Sequence, residues 1–145
     1  MPSPIFQIVY RSTFRAARVG SPLQALRDIV TVSSRNNARD GITGYLIFDG
    51  DTFLQILEGE QAAVETTYAR IAADARHRDP TLLHSGTAAQ RSFGNWAMNG
   101  YLRSEADAAI FARHGVPGTI PPELSGATVM ALAQELAAGQ RRSAP

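Results

Sequence analysis

The chain of 145 residues contains no cysteine, no lysine and no apolar stretch approaching the ~20 residues that a membrane-spanning helix needs. Without cysteine there are no disulfides, no thiolate metal ligands and no cysteine nucleophile. Without lysine, all 14 cationic side chains are arginine, set against 13 acids, and only Arg141-Arg142 forms a basic run. A net charge of +1 with no basic cluster argues against a nucleic-acid surface. The N-terminus has no charged segment leading into an apolar core, so the sequence reads as cytoplasmic, with no membrane partner. The histidines do not stand at metal-ligand spacing, and no nucleophile is paired with a base. What is present is a composition 44% hydrophobic and 19% charged, enough for one real core in one domain with a modest extension.

Residues 4–10 alternate, with Phe6, Ile8 and Tyr10 on one face and Ile5, Gln7 and Val9 on the other, which predicts an interior first strand. Gly20-Ser21-Pro22 supplies a turn, an N-cap and a proline at the first helical position, and Leu23, Leu26, Ile29, Val30 and Ser33 follow at helical spacing to about Asn37. Residues 42–48 and 52–58 are apolar runs around Asp49-Gly50, a dipeptide suited to a tight hairpin. Val64, Tyr68, Ile71 and Ala75 mark a second helix, stopped by the polar stretch Arg76 to Pro80. Residues 81–89 and 97–103 read as two more strands, and the sheet as antiparallel throughout. The order β-α-β-β-α-β-β predicts an α+β, ferredoxin-like sheet with two helices on one face. Beyond Ser104 the chain turns alanine-rich, with a short helix over 105–114, a proline- and glycine-rich loop over 115–122 and a last helix over 125–138. The expected division is a ligand-binding domain over 1–104 and a helical extension over 105–145.

Taken singly, the polar residues of interest have ordinary explanations. Gln55 shares a strand face with Phe53 and Leu57, so its amide is buried and needs partners from the protein or from a ligand. Tyr10 is an ordinary core tyrosine with a hydroxyl to satisfy. Asn36 and Asn37 fall where the first helix should end, a position that favours asparagine, though a capping role explains one more readily than two. Trp96 and Met98, two apart in the expected last strand, should face the same side. His77 reads as a helix-end residue complementing the dipole. Glu58 is assigned to the turn at Gly59, and Arg35 and Arg39 to solvent.

Together they say more. Tyr10-Arg11-Ser12, Ser34-Arg35-Asn36-Asn37, Gly41-Ile42-Thr43-Gly44, Phe53-Leu54-Gln55-Ile56-Leu57-Glu58-Gly59, Arg76-His77 and Phe93-Gly94-Asn95-Trp96-Ala97-Met98 resemble the BLUF family of flavin-dependent blue-light sensors in order and spacing, over roughly residues 4–103. The resemblance implies a flavin bound non-covalently between the two helices, with FAD the usual form and FMN or riboflavin alternatives. It implies Tyr10 as electron and proton donor, Gln55 as the relay, Asn37 as a holder of the polar ring edge, assisted by Asn36, Arg76 and His77, and Trp96 and Met98 as the residues that pass the signal on. The missing cysteine excludes the flavin–cysteine chemistry of other blue-light sensors. Such a sensor is not an enzyme and must act through a protein partner or through self-association as a homodimer or higher homo-oligomer, with the 125–138 helix as the place of output. The alternatives weighed are an RNA-binding ferredoxin-like module, which lacks the basic-aromatic strand signature, and a flavin-dependent oxidoreductase, which lacks catalytic groups.

Overall fold

The computed structural model describes residues 4–14, 22–49, 52–74, 77–94 and 96–143. The elements are β1 (Ile5–Phe14), α1 (Pro22–Asp40), β2 (Thr43–Asp49), β3 (Thr52–Gly59), α2 (Gln61–Ala72), β4 (His77–Ala88), β5 (Asn99–Leu102), α3 (Ala108–Arg113) and α4 (Gly126–Ser143), with a 3-10 turn at Glu105–Asp107 before α3. The sheet order is β4-β1-β3-β2-β5. This is the expected α+β, ferredoxin-like arrangement, with β1 interior. One pairing departs from expectation: β5 runs parallel to β2, so the sheet is mixed. The expected turn at Asp49-Gly50 and the cap at Ser21 fall partly or wholly outside the described residues, although the register does pair Asp49 with Thr52.

The second departure is the start of β4. Its first residues, His77 to Pro80, belong to the polar stretch that the sequence predicts as a helix stop, yet α2 ends at Ala72 and these residues pair with the far end of β1, His77 opposite Phe14 and Arg78 opposite Thr13. An edge strand needs no apolar alternation and accepts proline, so its hydrophobic pattern carries little signal. Two register shifts along β1 and the positive φ of 51° at Asp79 kink this edge.

Alternation sorts the core into two layers. Ile8, Tyr10, Leu46, Phe48, Phe53 and Leu57 meet Leu26 of α1 and Val64 of α2 on one face. Val9, Tyr45, Ile47, Leu54 and Ile56 meet Phe111 of α3 and Val129, Leu132 and Leu136 of α4 on the other. The apolar stripe of the last helix therefore covers its own sheet, and the face that an RNA-binding module would leave open is closed. Two arginines fix the loop that leads into α4. Arg11 donates to the Pro121 carbonyl at 2.9 Å. Arg103 bonds Asp49 Oδ2 at 2.9 Å and the carbonyls of Val116 and Gly118, with its guanidinium 4.3 Å from the centre of the Phe111 ring. No helix among the described residues is long and apolar enough to cross a membrane.

Because the Arg103 side chain is only 14% exposed, its bonds are shielded from competing water. Arg103→Met should destabilise the chain by about 2 kcal/mol, the scale of hydrogen bonds to a charged group. Arg113→Met, at an exposed pair with Glu135, should leave the urea midpoint close to wild type.

Candidate functional site

Helix α1 rests on β2 and β5, while α2 rests on β1, β3 and β4. The boundary between them lies at the seam of β3 and β2, and Gln55 stands on its β3 side. The register sets Tyr10 of β1 directly opposite Gln55 and Leu46 of β2 on its other side. The Tyr10 hydroxyl donates to Gln55 Oε1. Tyr10 is fully buried, and its ring meets that of Tyr68 from α2 edge-on, with centres 5.0 Å apart. Burial, reinforced by Tyr68, pushes the Tyr10 phenol far above its ordinary pKa. It is a neutral donor under all ordinary conditions.

The other end of the Gln55 amide donates to the thioether of Met98, Nε2 to Sδ, at 3.6 Å. Sulfur is a weak acceptor, so this buried N–H is poorly satisfied. Met98 belongs to the segment before β5, which α1 holds from above. Asn37 Nδ2 donates to the Ala97 carbonyl at 2.9 Å and Ser34 Oγ to the Met98 carbonyl at 3.1 Å.

Three expectations about this site require correction. Asn37 is not a helix cap: α1 runs on to Asp40, Gly41 with φ 71° takes the left-handed position, and the asparagine side chain is buried against the sheet. Asn36, one residue earlier, is partly buried. Trp96 and Met98 do not share a face. The strand begins only at Asn99, so period-two alternation does not apply to them. Met98 packs with the α1/α2 core, whereas Trp96 packs with the α4 core and stacks on Tyr45 at 5.9 Å. His77 is not at a helix end; as the first residue of β4 it bonds Ser12 Oγ through Nδ1 at 2.8 Å, its ring 5.3 Å from that of Phe53. Arg76 lies outside the described residues.

Sequence reasoning missed Ser34, Tyr68 and Glu58. Ser34 and Tyr68 stand within motifs or helical stripes already noted, but their inward direction needs the helix orientation. Glu58, assigned to a turn, is instead wholly buried on the α4 side and accepts the backbone N–H groups of Ser92 and Phe93. Arg39 is exposed, as expected, but engaged: it pairs with Asp40 at 3.1 Å, and Arg70 reaches the same carboxylate at 3.8 Å, beside a cleft of about 420 Å³ that Thr66 and Thr67 also line. The hydrogen bond from Arg39 holds the Asp40 carboxyl below its usual pKa.

The donor set fits a flavin. An isoalloxazine edge alternates carbonyl oxygens and ring nitrogens, and Gln55 and Asn37 are amides on the helix-facing side of the sheet that offer both donors and acceptors. The N–H of Gln55, now on a thioether, is the group that gains most from a carbonyl or ring-nitrogen acceptor. Among the described residues no cluster of metal-ligating side chains is present.

Comparison with known proteins agrees. The family profile described as BLUF, sensors of blue-light using FAD, matches residues 5–99. The blue light- and temperature-regulated antirepressor BluF of Escherichia coli (strain K12) is 33% identical over 91 residues, 63% of this chain but 22% of the antirepressor. The chain thus spans about a fifth of that relative. The structure of BlsA in its photo-activated state superposes with a TM-score of 0.79 at 30% identity, covering 91% of this chain and 94% of BlsA. The dark-state structure of BlrB, a BLUF protein, superposes with a TM-score of 0.74 at 27% identity, covering 94% and 97%. The matched family is one of light sensors, and the matches lend nothing to the oxidoreductase or RNA-binding alternatives. The chain belongs to the BLUF family of flavin-based blue-light sensors.

Proposed function

We propose that this protein converts blue light into a change of hydrogen bonding around Gln55, and that segment 96–98 and helix α4 carry the change outward. The observation that supports it is the chain of contacts from the buried Tyr10 hydroxyl through both ends of the Gln55 amide to Met98. Asn37 and Gln55 would hold the polar edge of the flavin, with Asn36, Arg76 and His77 assisting. FAD is the favoured form, and FMN or riboflavin present the same ring to these residues. The bound flavin supplies absorption of blue light and, once excited, a one-electron oxidant.

What the chain's own residues contribute follows from their acidity and geometry. Tyr10 is held neutral, and loss of an electron turns its phenol strongly acidic, so its proton leaves along the existing bond to Gln55 Oε1. An amide that gains a proton on oxygen must shed one from nitrogen, here to the flavin that has taken the Tyr10 electron, so the donor and acceptor ends of Gln55 exchange. With its two ends exchanged, Gln55 no longer offers Met98 the same donor, and the thioether contact changes. Trp96, on the opposite face and stacked on Tyr45, is joined to Met98 by two peptide units, so a shift of one moves the other. Tyr45 donates to Gln140 Oε1 of α4 at 2.6 Å, which gives the movement a route to the last helix. The sensing unit would be 1–104 and the output unit 105–145. A protein partner or a second copy in a homo-oligomer would read it, in the cytoplasm.

Tyr10→Phe and Gln55→Leu should each retain flavin and abolish the reversible red shift of its spectrum under blue light. A normal photocycle in either variant overturns the mechanism. Replacing both Trp96 and Met98 should suppress the light-induced change in α4, read by limited proteolysis of the tail in light and dark. The raised Tyr10 pKa also has a stability consequence. An unfolded tyrosine ionises near ~10 whereas the folded one does not, so this contribution is complete below that value and is lost as the pH climbs above it. Alkaline titration at 295 nm should show Tyr10 ionising only together with unfolding.

A further inference from the structure

Glu58 is fully buried, yet among the described residues its carboxylate forms no ion pair. Its charge is met by four hydrogen bonds: Gln7 Nε2 at 3.1 Å, Thr43 Oγ1 at 2.9 Å, Ser92 N at 2.9 Å and Phe93 N at 2.6 Å. Arg91 touches the same cluster only through neutral oxygens, reaching Thr43 Oγ1 at 2.9 Å, the Glu58 carbonyl at 3.1 Å and the Gly41 carbonyl at 2.9 Å. A carboxylate removed from water without an ion pair is costly, and here four donors offset that cost. What the carboxylate adds is direction: it fixes two successive backbone N–H groups at one point.

Those two groups begin the segment that ends at Gln55. The Trp96 N–H donates to the Phe93 carbonyl at 3.0 Å, the Gly44 N–H to the Trp96 carbonyl at 3.2 Å, and Met98 brings its sulfur to Gln55. The Phe93 and Trp96 rings both stack on Tyr45, at 5.3 and 5.9 Å. Strand β3 therefore grips one short segment at both ends, through Glu58 on the α4 face and Gln55 on the α1/α2 face.

We infer that Glu58 is a positioning residue for the Tyr10–Gln55 site: through Ser92 and Phe93 it sets residues 96–98 so that Met98 faces Gln55 while Trp96 faces Tyr45. The role in the photocycle rests on the function proposed above; the positioning itself does not.

The test is Glu58→Gln in the full chain as purified with its flavin, because glutamine keeps the shape and turns an N–H₂ toward groups that are themselves donors. Thr43→Val, which removes one donor to Glu58 and keeps the β-branched shape, is the milder variant. Trp96 is the chain's single tryptophan, so acrylamide quenching of its fluorescence in the dark reads the segment directly. Quenching should rise in both variants, more in Glu58→Gln. Dark recovery should slow about tenfold in Glu58→Gln, the loss of one hydrogen bond to a charged group. That slowing should vanish in a Met98→Ala background. Unchanged quenching and recovery with only a lower unfolding midpoint, or a slowing that persists without Met98, overturns the inference. If Glu58→Gln does not fold, Thr43→Val decides by the same readings. A wild-type chain that binds flavin but shows no light response refutes the proposed function, and the quenching comparison still decides whether Glu58 sets the segment.

Discussion

Every residue of β3 is buried, and the strand is covered on both faces. Its polar side chains have no water to fall back on, and a buried amide without partners costs about 1–3 kcal/mol, a carboxylate more. Gln55 and Glu58 are an odd number of positions apart, so strand geometry sends them to opposite faces. Each must then draw partners from whatever packs above it. Gln55 draws Tyr10 and Met98; Glu58 draws Gln7, Thr43 and the backbone at Ser92 and Phe93. The site and its support are both consequences of one strand with no exposed side.

The segment between β4 and β5 is the element shared by these two demands. On the Glu58 side it is held by short bonds to a charge, and on the Asn37 and Ser34 sides by bonds to its carbonyls at Ala97 and Met98. Against these, the contact between Gln55 Nε2 and Met98 Sδ is made to a poor acceptor. It is the bond that costs least to exchange. A network whose weakest bond is one amide N–H confines rearrangement to that amide, which is the property a sensor of small chemical events requires.

Layering and the order of elements were legible because interior strands and amphipathic helices write their burial into apolar spacing. Tyr10, Gln55 and Asn37 were legible as a set because their motifs kept characteristic distances along the chain. Illegible were the features that periodicity does not encode. The start of β4 at His77 sits on an edge, where neither face demands apolar residues. The opposite facing of Trp96 and Met98 arises in irregular backbone before β5, where alternation has no meaning. Glu58 looked like a turn residue because a carboxylate before glycine at a strand end is normally solvated; only the approach of Ser92 and Phe93, over thirty positions away in sequence, explains its burial. The parallel pairing of β5 also depends on where a long connection returns, which local composition does not record.

The magnitudes also limit how the proposed signal can leave the site. Exchanging one neutral hydrogen bond is worth about 1 kcal/mol, enough to shift a two-state ratio by roughly fivefold. Helix α4 seats Val129, Leu132 and Leu136 in the second core, and side chains of this kind contribute about 1.5–3 kcal/mol each. A signal of that size cannot lift the helix from the sheet. It can redistribute contacts that are individually worth about as much as itself, and these lie along one line: Trp96 on Tyr45, Tyr45 on Gln140, and Gln140 Nε2 on the Gly100 carbonyl at 3.2 Å. Gln140 is near the end of α4, beyond its apolar stripe and beyond the loop fixed by Arg11 and Arg103. The firmly packed part of the helix thus serves as a fixed base, and the light-dependent change in this proposal belongs to its last turns, where a partner or a second copy would meet it.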